Sequence, residues 1–127
     1  MPIDLVLDGA VLHTVLAGRV TDDELLAHYQ RPAFSEVRPL WLEIVDGRLV
    51  TDIAVTLEGQ RRLESLASTQ VERLRGGRVA MVASSDVVYG MFRMWQMRRE
   101  GLGYEVQVFR DFAAARSWVV TGAPLPE

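Results

Sequence analysis

The sequence predicts a single α/β domain: a mixed sheet of about five strands with about four helices, in the order β-β-α-β-α-β-α-β-α. Three observations predict it. Short apolar or alternating runs suited to strands recur at 3–7, 11–17, 40–45, 79–83 and 104–109. Capping signals open the stretches of helical periodicity between them. The first two runs are separated only by a turn, whereas each later run is separated from the next by a helix. The pattern therefore calls for a hairpin first, then parallel strands joined by right-handed crossovers, with helices on at least one face.

Each element has its own justification. Ile3 to Leu7 is a short apolar strand, Asp8-Gly9 is a turn dipeptide, and Val11 to Ala17 pairs back, with His13 inside it. Thr21-Asp22-Asp23-Glu24 reads as a capping box, the Glu24 carboxylate reaching back to the Thr21 amide, with Val20 and Leu25 as the apolar staple. This helix carries Leu25, Leu26 and Tyr29 and should stop near Gln30, ahead of Pro32. Leu40 to Val45 is the next strand, and Asp46-Gly47 should turn the chain. Residues 48–55 fit either a second hairpin arm or an extended loop. Thr56 is placed to cap a helix whose buried stripe is Leu63, Leu66 and Ala67. After Gly76-Gly77, Val79 to Ala83 is apolar throughout, as in a strand buried on both faces. Ser84 or Ser85 caps a third helix from Asp86 to about Glu100, and Gly101 can close it in a left-handed conformation. Tyr104 to Phe109 alternates as the last strand. A final helix spans Asp111 to Trp118, so the domain covers 1–120 and 121–127 should fray.

Composition excludes several classes. With 127 residues and 49% hydrophobic content the chain can bury a core within one domain. It has no Cys, which removes disulfides, thiolate metal sites and thiol nucleophiles, and only two His. No run approaches the roughly 18–20 apolar residues of a membrane span, and the N-terminus lacks a signal-peptide pattern, so a cytoplasmic protein is expected. All fourteen basic residues are Arg, a bias that suits a GC-rich bacterial genome. The net charge of −3 argues against nucleic-acid binding. Charge is uneven, with four Arg and nine acids in 1–56 but eight Arg and five acids in 57–100.

Four segments carry a family resemblance: GRVTDDELLAHY (18–29), VTDIAVTLEGQRRL (50–63), GRVAMVASSDVVYGMFRMWQ (77–96) and VQVFRDFAAARSW (106–118). Together they resemble the SpoIIAA-like family, whose fold is that of STAS domains and of the lipid-binding half of Sec14-type proteins. The resemblance implies a non-enzymatic regulatory or ligand-binding module. In the anti-sigma-factor antagonists of this fold, a Ser or Thr at the start of the second helix is phosphorylated within a pattern like D-S-S-G-L. Thr56 matches that hydroxyl, although Ala54, Val55 and Leu57 replace the surrounding acid and small residues. Nearer relatives look like carriers or membrane-associated binders of apolar ligands.

The third helix is unusually apolar. Wound at 100° per residue, Val87, Val88, Gly90, Met91, Phe92, Met94, Trp95 and Met97 spread over roughly 220° of its circumference, where a surface helix needs a stripe of little more than about 100°. The surplus must meet another helix, a second subunit in a homodimer, a membrane surface or a ligand. Met91, Phe92, Met94, Trp95 and Met97 are thus the candidate contacts for a lipid or other apolar small molecule. Arg98 and Arg99 end this helix, and Arg61 and Arg62 lie on the preceding one. They could meet anionic headgroups, or simply complement helix C-termini and solvent. Thr56, Thr51, Ser84 and Ser85 sit near strand-to-helix junctions, where capping is the plain role and phosphorylation of Thr56 the functional one. No nucleophile elbow, phosphate loop or zinc-protease motif occurs. His13 and His28 read as structural, Asp46 and Asp52 as acids flanking a turn. No catalytic residue, cofactor or metal is expected.

Overall fold

The computed structural model describes residues 3–123. Five strands form one sheet: β1 (Ile3–Asp8), β2 (Val11–Thr21), β3 (Leu42–Ala54), β4 (Arg78–Val82) and β5 (Glu105–Phe109), side by side in chain order. The β1–β2 pair is antiparallel and every later pair is parallel. The helices are α1 (Asp22–Tyr29), α2 (Leu57–Thr69), a single turn α3 (Val71–Leu74), α4 (Asp86–Arg98) and α5 (Phe112–Thr121). A 3-10 turn at Pro32–Ser35 joins α1 to β3. The expected mixed α/β order is present, with α3 as one additional short helix.

Local chemistry explains the boundaries. Gly9 takes a positive φ of 60° in the two-residue hairpin, which falls on Gly9-Ala10, one residue later than expected. Thr21 caps α1, but the Glu24 carboxylate accepts from the Thr21 hydroxyl at 2.7 Å rather than from its amide. Thr21 is at the same time the last residue of β2, paired with Ala54. Ser85 caps α4 through the Val88 amide, and Asp111 caps α5 through the Ala113 amide. Helix α5 reaches Thr121, one residue into the stretch expected to fray, and Gly122 closes it in a left-handed conformation. Residues 124–127 lie outside the described residues.

The expected turn at Asp46-Gly47 is absent. Strand β3 runs through it for 13 residues and continues parallel to β2 as far as Ala54. What the dipeptide makes instead is a bulge: Asp46 pairs with Val15, and the next pair is Leu49 with Ala17. The Asp46 carboxylate accepts from the Arg48 amide at 3.1 Å, a local bond of the kind that also forms turns. Gly47 is required for packing, not for a turn. A Cβ there would lie 2.7 Å from the Phe92 ring and 3.0 Å from the Val82 carbonyl oxygen.

The sheet is covered on both faces. Helices α1 to α4 pack over one, around Leu12, Leu16, Val45, Met81, Phe92 and Trp95. Helix α5 covers the other, setting Trp118 and Val119 against Ile44, Ala80 and Val82. Phe92 is wholly buried, which contributes about 1.5–3 kcal/mol relative to an exposed ring.

Candidate functional site

Alternation along β3 sends Glu43 and Val45 toward α1–α4, and Ile44 and Asp46 toward α5. Glu43 is only 3% exposed. Its Oε2 accepts from the Thr14 hydroxyl at 2.7 Å and the Tyr29 hydroxyl at 2.9 Å, and its Oε1 accepts from Trp41 Nε1 at 3.3 Å. Burial raises the Glu43 pKa, and the three donors offset that only in part. Burial likewise holds the Tyr29 hydroxyl protonated well above its usual range, with the Glu43 charge adding to the effect.

One step further back lies His28, 2.9 Å from Thr14 Oγ1 through Nε2. Burial, helped by Arg31, lowers the His28 pKa to about 4, so the ring is neutral at pH 7. Thr14 gives its proton to Glu43, so its oxygen accepts from His28 Nε2–H. That tautomer leaves Nδ1 as a bare acceptor, and Nδ1 has no partner. The opposite order would strand a buried N–H donor, which is rarer and more costly.

Between this cluster and helices α2 and α4 is a cavity of about 80 Å3. Its walls are mostly apolar and include Leu25, Leu63, Val79, Met81 and Trp95. Glu43, Tyr29 and Trp41 close one side, while the half-buried Gln70, Arg99 and Tyr104 lie on another. Trp95 is 7% exposed and its Nε1–H has no hydrogen-bond partner. Arg99 makes no salt bridge among the described residues, although its charge acts on Glu43, Tyr29 and Tyr104. Burial raises the pKa of the Tyr104 hydroxyl, which is therefore protonated.

The opposite face holds a second buried acid. Asp46 Oδ2 accepts from Arg48 at 2.7 Å and lies 3.2 Å from His13 Nε2, and its Oδ1 accepts from Arg48 Nε at 2.9 Å. Burial pushes this carboxyl up, but the Arg48 and His13 hydrogen bonds outweigh it and hold the pKa below the usual value. The Arg48 guanidinium sits 4.4 Å over the Phe112 ring of α5.

The sequence-nominated residues divide. Trp95 and Phe92 face inward with Val88, and half-buried Met91 packs against the same core. Met94 and Met97, 40% and 58% exposed, share the outer side of α4 with Val87, which is 76% exposed. The apolar arc is therefore part core, part cavity wall and part outer surface. Among the four Arg nominated for headgroups, Arg61 and Arg62 lie exposed on α2, Arg62 paired with Glu58 at 3.2 Å. Arg98 is bound to Glu64, clasping α4 to α2, and only Arg99 reaches the cavity. Thr56 caps α2 through the Gly59 amide at 3.0 Å, and its own hydroxyl donates to Asp22. A phosphate there would face the Asp22 carboxylate, an unfavourable neighbour. Asp46 and Asp52 are not a pair: Asp52 lies 3.5 Å from Arg19.

Glu43, Thr14, Tyr29 and Trp41 were not nominated from the sequence. The available signal was an acid inside the apolar run Trp41-Leu42-Glu43-Ile44-Val45, since an acid there must be partnered or neutral if the run is buried.

The architecture defines the protein class: a SpoIIAA-like fold. An uncharacterized protein of the DUF3478 family with a SpoIIAA-like fold, from Shewanella loihica PV-4, superposes with a TM-score of 0.62 over 92% of this chain and 91% of its own, at 16% identity. No protein-family model matches the sequence, and no curated protein matches it. No described helix is long and apolar enough to cross a membrane.

Proposed function

We propose that this chain is a non-catalytic binding module that takes a small apolar molecule into the cavity between the sheet, α2 and α4. The observation that carries this is an apolar space walled by Trp95 and adjoining a buried polar cluster, the composition expected of a ligand site. A reactive role has less support. The hydroxyl–imidazole contact of Thr14 and His28 is fully buried, and the Thr14 proton is directed to Glu43 rather than to the ring.

Trp41 and Trp95 both line the cavity while Trp118 is on the other face, so tryptophan emission reports occupancy. Titration with straight-chain alcohols and fatty acids should change that emission saturably. The change should disappear in Ala67→Leu, which fills the cavity from α2. A flat response across the whole series would sink the proposal. The runner-up, an anti-sigma-antagonist-like regulator switched at Thr56, gains no support from a hydroxyl already committed to a cap and to Asp22.

A further inference from the structure

We infer that the ligand of this cavity is a compact carboxylic acid, its carboxylate held by Arg99 and its apolar body against Trp95. The inference rests on the binding role proposed above and is argued from which hydrogen-bonding groups remain without a partner. Both oxygens of the site's carboxylate are already in use, because Glu43 accepts from Thr14 and Tyr29 at Oε2 and from Trp41 at Oε1. Unmatched capacity is of the donor kind. Trp95 Nε1–H is more than nine-tenths buried and has no partner, and an unpaired buried donor costs about 1–3 kcal/mol. The Arg99 guanidinium has no carboxylate within salt-bridge distance among the described residues, unlike Arg98, which is bound to Glu64. Tyr104, beside Arg99, keeps its proton and can donate as well.

A ligand that brings only apolar surface leaves these donors unmatched. One that brings an ammonium group would set a cation beside Arg99. A carboxylate supplies two acceptor oxygens in the planar arrangement that a guanidinium fits, and its charge restores neutrality beside Arg99. Glu43 closes a different side of the cavity, but its charge reaches Tyr104, so a bound carboxylate has to sit at the Arg99 end, where the guanidinium outweighs that repulsion. Cavity size restricts the apolar part. About 80 Å3 is roughly half the 150 Å3 that admits benzene in an engineered protein cavity, so a body of a few carbons fits without displacing α4.

The test compares butanoate with butanol at pH 7 by calorimetric titration of the full chain. Butanoate should bind at least about tenfold more tightly, the value of one charge-assisted hydrogen bond. Arg99→Met should remove that preference while leaving butanol affinity within about twofold, and Arg99→Lys should restore part of it. Trp95→Phe keeps the apolar wall, removes the N–H, and should weaken butanoate. Arg116→Met, on the far face where Arg116 pairs with Asp8, should change neither ligand. Equal binding of both, indifferent to Arg99, would overturn the acid assignment and leave the apolar cavity standing. Binding of neither would overturn both.

Discussion

Glu43 and Asp46 are two buried carboxylates on one strand, three residues apart, facing opposite sides of the same sheet. Asp46 has a guanidinium in bidentate contact and an imidazole beside it, and its pKa falls. Glu43 has three donors, all neutral, and its pKa rises. Asp46 has four hydrogen-bond partners against three at Glu43, loses less of its hydration, and is paired with a formal positive charge where the donors of Glu43 carry none. A carboxylate held by neutral donors retains a desolvation cost that a neighbouring cation removes. Such a group stays chemically responsive, whereas the Asp46 cluster fixes β3 to β2 and, through Arg48 over Phe112, to α5.

Acidification separates the two most strongly. His28 has a folded pKa of about 4 against an ordinary 6.5, so its stabilising contribution is complete above pH 6.5 and is lost as pH falls toward 4, about 3 kcal/mol in all. Glu43, with a folded pKa raised above 4.5, works in the other direction, favouring the native state at low pH and losing that favour as pH rises through its folded value. Urea midpoints between pH 7 and 4.5 should therefore fall more steeply in Glu43→Gln than in wild type. In His28→Gln the fall should shrink or reverse. Identical profiles in all three proteins would refute the linkage.

Thr14→Val cuts the network at neutral pH. It removes one donor from Glu43 and strands His28 Nε2–H, and should cost about 2 kcal/mol in chemical denaturation. Arg48→Met tests the charged partner and should cost less, about 1 kcal/mol, because Arg48 is partly exposed and its pairing is screened. Asp46 is lowered below 3.8, so the pairing stabilises above that value and is lost in strong acid. The Arg48→Met deficit should therefore be present at pH 7 and smaller at pH 2. A deficit of equal size at both pH values would assign it to the packing of Arg48 on Phe112 instead.

Much of the fold was legible because it is local. Caps at Thr21, Thr56 and Ser85, the glycine at the hairpin, and the spacing of Leu25 or Leu63 are determined by neighbours within a turn. The continuation of β3 through Asp46-Gly47 was not legible, since the dipeptide's turn preference is overridden by a ring 45 positions away: Phe92 occupies the space a side chain at position 47 would need. For α4 the excess of apolar surface was readable, but its division between Trp95 and the outward Met94 and Met97 depends on where α2 and the sheet lie. Glu43 escaped notice because strand periodicity records which face a residue occupies, not which donors from Thr14, Tyr29 and Trp41 converge on it.

The lodging of Phe92 over Gly47 also constrains how the molecule can breathe. Helix α4 is seated on the sheet at that ring, one turn before Trp95 and two before Arg99, so the seat acts as a fulcrum. A swing of the C-terminal half of α4 to admit a bulkier guest would draw α2 along through the Arg98–Glu64 clasp. Amide exchange should accordingly be faster at 96–99 than at 88–92 in the free protein, and guest binding should slow the first segment more than the second.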